Sequence, residues 1–161
     1  MTGVLTRVIG IGQPAAGDDY AGIAVARAVR AQQLPADVDI HEITDPALLV
    51  ELLDGIQRAI LIDALVSGNS PGNIMRLTPE DLAANPVTPL SSHGTSVTEA
   101  LGLLRILAPE TTDCDIHIIG ITIDQPTRYS HAMSAPVAAA VPRAAGVITR
   151  LLKSKKTLSS A

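Results

Sequence analysis

Apolar positions along the chain follow two alternating periods. Val4 to Ile11 is a short β-branched run closed by Gly10-Ile-Gly12, the pattern of a buried strand. Asp18 to Gln33 follows, with Ile23, Ala26 and Val29 at the spacing of one helical face. Val38 to Ile43 alternates without a cleanly apolar face and predicts a weak strand. Pro46 to Leu53 predicts a short helix, with Asp45 as N-cap, Pro46 at the first helical position and Gly55 as the stop. Ala59 to Ile62 is a second buried strand, and Ile74 to Leu77 a short edge strand after the turn Asn69-Ser-Pro-Gly72.

Thr78 to His93 is a mixed stretch with prolines and no clear period. Ser96-Val-Thr-Glu99 has the capping-box pattern and opens a helix through Val97, Leu101 and Leu104. Ile116 to Ile121 predicts another strand. Pro136 to Leu152 predicts a final helix that Pro142 should kink or restart. Strands alternating with helices imply an α/β fold: a single-domain three-layer sandwich, its mostly parallel twisted sheet covered by helices on both faces. Residues 1–152 are expected to form that domain, and 153–161 a flexible tail.

Composition narrows the function. The chain has 161 residues, no Phe, no Trp and two Tyr, with a formal net charge of −4. It therefore lacks the aromatic platforms and basic surface that nucleic-acid binders use. One cysteine excludes an internal disulfide and any multi-cysteine zinc cluster. No signal-peptide pattern and no uninterrupted apolar run of about 18 residues stands out, so a cytoplasmic protein with no membrane partner is expected.

In a parallel sheet, ligands bind beyond the carboxyl ends of the strands. Three candidates converge on that edge. Asp19 follows the first strand, Asp63 follows the hydrophobic run ending at Ile62, and His93 lies on the loop before the capping box. Each has an ordinary structural explanation: helix capping for Asp18-Asp19, a buried hydrogen-bonded acid for Asp63, a solvated loop histidine for His93. Together they form one imidazole and two carboxylates, a set that suits a divalent transition metal with open coordination positions. Asp18 could serve beside them as a supporting residue or base. Gly10-x-Gly12-x-x-Ala15, with Glu42 near the end of the next strand, also matches a dinucleotide fingerprint. Asp18 and Asp19 oppose that reading, because they would repel a pyrophosphate at the helix N-terminus. His41, His117, His131 and Cys114 lack partners at ligand spacing, and no Gly-x-Ser-x-Gly elbow accompanies Ser92 or Ser96.

Gly10-x-Gly12 followed by Asp18-Asp19-x-x-Gly22 resembles the N-terminal signature of the hydrogenase maturation proteases. The likeness continues through Leu61-Ile-Asp63-Ala64, Ser70-Pro-Gly72, Ser92-His93 and Ile118-Ile-Gly120-Ile121, over about residues 4 to 152. It implies a twisted sheet flanked by helices and an endopeptidase that trims the C-terminus of a nickel–iron hydrogenase large-subunit precursor. It also implies that Asp19, Asp63 and His93 are both the catalytic residues and the metal ligands. The nickel would be the ion carried by that precursor, with no organic cofactor. Two departures stand out: Gln13 where the family commonly has Asn, and Glu42-Ile-Thr-Asp45 where many members carry glycines. The second bears on partner choice. A non-catalytic nickel- or precursor-binding chaperone and a dinucleotide-binding enzyme are the alternatives. Both tyrosines, Tyr20 and Tyr129, are expected to line the precursor-binding cleft.

Overall fold

The computed structural model describes residues 5–14, 16–84, 88–89, 96–125 and 131–154. Among the described residues, six strands form one sheet: β1 (Thr6–Ile11), β2 (Val38–Ile43), β3 (Arg58–Val66), β4 (Ile74–Leu77), β5 (Thr88–Pro89) and β6 (Asp115–Ile123). The order is β2-β1-β3-β6-β4, with β5 added to the end of β3. β1, β2, β3 and β6 are parallel, while β4 and β5 run antiparallel to their neighbours. The expected mostly parallel sheet with helices on both faces is what the chain forms.

Alternation along β3 sorts the two cores. Ile60, Ile62 and Ala64 face α1 (Ala21–Arg30) and α5 (Ala135–Lys153), where Val25, Ala26, Val29, Ala140, Ala144 and Ile148 pack. Ala59, Leu61 and Leu65 face the opposite layer of α2 (Leu49–Leu52), α3 (Pro79–Ala84) and α4 (Val97–Leu107). Because residues at these positions are aliphatic throughout, the sheet is buried on both sides, as parallel sheets require.

The end signals operate as the sequence suggests. Asp45 accepts from the Ala47 amide at 2.9 Å at the start of the 3-10 turn leading into α2. Ser96 and Glu99 exchange both bonds of a capping box, at 2.8 and 3.1 Å.

Four expectations are corrected. β3 does not stop at Ile62 but runs to Val66, because β6 pairs with it through Ile123 and β5 adds a rung at Leu65 and Val66. Thr78 to His93 is not featureless. Thr78 and Asp81 cap each other at 2.9 and 3.1 Å and start α3, and Thr88–Pro89 is β5. Pro142 does not interrupt α5, which is continuous over 19 residues. Pro142 and Ala138 lie on its exposed side, where water can satisfy the carbonyl that proline leaves free. By length and composition α5 could cross a membrane. Its apolar stripe is instead buried against the sheet and α1. Lys153 and Ser154, expected in a flexible tail, close this helix, and 155–161 lie outside the described residues.

Candidate active site

The strand order reverses between β1 and β3, since β1 leads outward to β2 while β3 leads to β6. Such a switch point opens a crevice at the carboxyl edge of the sheet. Gly12 leaves β1 there, and its amide bonds the Ile43 carbonyl of β2 at 3.1 Å. A 3-10 turn, Gly17–Tyr20, then doubles back before α1 and packs on β3.

Two glycines permit this approach. A Cβ on Gly12 would collide with the Asp19 carbonyl, and one on Gly22 would collide with the carbonyls of Ile11 and Ile62. The turn is therefore pressed onto the first and third strands at once. Gln13 N–H also bonds the Asp19 carbonyl at 3.3 Å, and the Gln13 side chain reaches the Thr44 carbonyl at 3.0 Å.

The result is a pair of buried acids. Asp19 is 6% exposed and Asp63 3%. Asp63 lies inside β3, not at its end, and shares a face with Leu61 and Leu65. Its neighbour in β6 is Gly120, whose missing side chain leaves room that Leu65 fills. The Ala64 amide donates to Asp63 Oδ1 at 2.8 Å. Burial raises the Asp63 pKa well above the usual carboxylate range, and the charge of Asp19 pushes it further. Burial alone raises Asp19 to about 6. Among the described residues no group of three or more His, Cys, Asp or Glu could hold a metal. His93 lies outside the described residues, between Pro89, which pairs with Leu65, and Ser96, which caps α4.

Asp18 points elsewhere. Its carboxylate accepts from the Ser134 amide at 2.7 Å and the Ser134 hydroxyl at 3.0 Å, at the start of α5. It caps neither its own 3-10 turn nor α1, and instead holds the residue that opens α5. Held there, it is not placed as the base that its position beside Asp19 suggested. No sequence signal joins residues 116 positions apart.

The dinucleotide reading loses its ribose acid, because Glu42 bonds Arg27 at 2.8 Å and also pairs with Arg30. Tyr20 is half-buried, its hydroxyl accepting from Arg27 at 2.6 Å with the guanidinium 5.5 Å from the ring centre. Tyr129 lies outside the described residues. His117 bonds Asp115 at 3.0 Å and His41 approaches Asp39 at 3.4 Å. Burial, with Asp115 beside it, pushes the Cys114 thiol up to about 11, which disfavours the reactive thiolate.

Known proteins share this fold. Residues 23–151 match the family model for hydrogenase maturation protease, HycI. Protein FrxA of Pyrococcus furiosus is 27% identical over 139 residues, covering 85% of this chain and 97% of FrxA. Among solved structures, the nickel–iron hydrogenase maturation protease HybD of Thermococcus kodakarensis superposes with a TM-score of 0.74 at 23% identity. That match covers 92% of this chain and 99% of HybD. The hydrogenase maturating endopeptidase HybD of E. coli gives 0.73 at 22% identity, over 91% of each chain.

Proposed function

The chain belongs to the hydrogenase maturation protease family and is therefore a peptidase; on that footing we propose that it removes a short C-terminal peptide from a nickel-loaded hydrogenase large-subunit precursor. The observation that carries this reading is the Asp19–Asp63 pair. Two carboxylates buried beside each other at the β1/β3 crevice are costly for the free protein. They become favourable when a cation arrives.

In this reading the nickel is part of the substrate. Asp19 and Asp63 bind it with His93, which follows β5 by four residues and precedes the α4 cap by three. One imidazole and two carboxylates leave positions open for the precursor's own ligands. Binding the ion brings the peptide attached to it into the crevice, which makes cleavage conditional on nickel insertion. Two routes lead to hydrolysis. The ion can polarise the scissile carbonyl, or the ion can serve only as the recognition handle while a carboxylate takes the proton of the attacking water. A cytoplasmic location fits a protein that meets its precursor before assembly.

Incubation with nickel-loaded precursor, followed by intact-mass measurement, tests the proposal. The expected result is loss of a C-terminal peptide with the wild type. Individual Asp19→Ala, Asp63→Ala and His93→Ala variants should leave the precursor full length. A stable complex with unshortened precursor would support the chaperone alternative instead, and full processing by all three variants would remove the site assignment. Cleavage of nickel-free precursor would show that the ion is not the recognition handle.

A further inference from the structure

The first turn of α5 supports both segments that carry the buried acids. The Asp19 turn is tied to it through Asp18, whose two carboxylate oxygens accept from the Ser134 amide and hydroxyl. Ser134 is the N-cap of α5, yet its hydroxyl makes no cap bond to its own helix; it is donated to Asp18.

The loop that follows β3 is tied to the same turn. Gly72 lies against Pro136 so closely that a Cβ would stand 2.5 Å from the Pro136 carbonyl oxygen. Arg143 Nη2 donates to the Gly72 carbonyl at 2.9 Å. The buried Thr122 hydroxyl donates to the Ser70 carbonyl at 2.7 Å and accepts from the Asn73 amide at 2.9 Å.

The geometry points to Asp18 and Ser134 as positioning residues, a clasp that fixes the Asp19 carboxylate against Asp63 by anchoring its turn to α5. The inference rests on the proposed reading of the Asp19–Asp63 pair as the reacting site. Its physical basis is simple. A four-residue 3-10 turn has little hydrogen bonding of its own to resist displacement. A charge-assisted, two-point bond to a 19-residue helix supplies the resistance. The Asp18 carboxylate spends its charge on the α5 N-terminus, where the amides favour an anion. Its role is thus geometric, acting through Asp19.

Ser134→Ala, Ser134→Thr, Asp18→Ala and the double Asp18→Ala/Ser134→Ala variants test the clasp on the full chain. Processing of nickel-loaded precursor is measured as kcat and KM, and amide exchange is measured across residues 17–20. Ser134→Ala should lower kcat about tenfold with little change in KM, since displacement near 1 Å in a reacting group is costly. Ser134→Thr keeps the hydroxyl and should restore the rate. In the Asp18→Ala background, Ser134→Ala should cost nothing further. Amides of the turn should exchange faster in both single variants while melting temperatures stay above the assay temperature. Folded single variants with wild-type kcat and wild-type exchange would overturn the clasp, as would equal Ser134→Ala penalties in both backgrounds. A wild type that leaves the precursor unshortened would instead sink the protease reading of the site. The clasp would then stand or fall on the exchange of residues 17–20 alone.

Discussion

Replacing Asp19 with Asn should stabilise the metal-free protein at neutral pH, and the gain should fade in acid. The Asn is close in shape to the protonated acid, so the comparison isolates the cost of charging this site. Asp19 has a folded value of about 6, against about 3.9 in an unfolded chain. The folded state therefore holds the proton more tightly. Its stability is greatest below the unfolded value, falls as pH rises toward 6, and then levels off. Integrating that difference gives a cost of about 0.5 kcal/mol at pH 4, about 1.5 at pH 5 and about 3 at pH 7. Solvent reaching the 6% of the residue still exposed trims the neutral figure to about 1–3 kcal/mol. For a domain of this size that corresponds to a rise of roughly 2–12 °C in Tm. Asp63 titrates in both proteins and cancels, apart from relief of its repulsion by Asp19, which acts in the same direction. Urea unfolding of both proteins in chelator, at pH values from 4 to 8, measures the gap. A gap that is absent, constant with pH, or reversed at pH 7 would refute the argument that burial destabilises this carboxylate.

Other expectations follow from the same contacts. Gly22→Ala should destabilise the protein by about 3 kcal/mol, because a methyl would meet the carbonyls of Ile11 and Ile62 on adjacent strands; thermal melts check it. Ser96→Ala removes one half of the capping box of α4 and should cost about 1 kcal/mol in urea unfolding. Asp63→Asn should leave the fold intact and reduce precursor processing to below about one per cent of wild type, since a neutral amide is a poor ligand for nickel. Cys114→Ser should leave processing unchanged in a mass assay, because the thiol is held protonated away from the crevice.

Much of the fold was legible because each element carries its own signal. The β-branched runs at β1, β3 and β6, the Asp45 and Ser96 caps and the Leu49–Leu52 turn all appear in the structure where local chemistry puts them. What was missed depends on pairing between distant segments. The continuation of β3 past Asp63 is set by β6, whose glycine at 120 gives Leu65 its space. An acid in mid-strand reads locally as a strand end, so the sequence suggested a boundary. Thr78 and Asp81 did offer a cap signal for α3, hidden among prolines. Asp19 and Asp63 were legible as a converging pair from topology alone. The partner of Asp18 was not, since nothing local marks Ser134.

The likeness of the first loop to a dinucleotide fingerprint has a physical origin. In both cases small residues let a helix and its leading turn approach strands more closely than side chains allow. Here Gly12 and Gly22 remove the methyls that would hold the turn away from β1 and β3. In a nucleotide-binding loop that closeness presents bare amides to a pyrophosphate. In this chain the turn carries its own anions. One goes to the amide and hydroxyl that open α5, and the other is pressed under the strand edge beside Asp63. Under the proposed function the same backbone serves to receive a cation instead of an anion, and the two adjacent aspartates divide the work. Exchanging them, Asp18 for a neutral residue or Asp19 for one, should produce different defects: displaced geometry in the first case and lost ligation in the second. A protein in which both substitutions weakened nickel-dependent processing to the same extent, with the same loss of turn protection, would contradict that division.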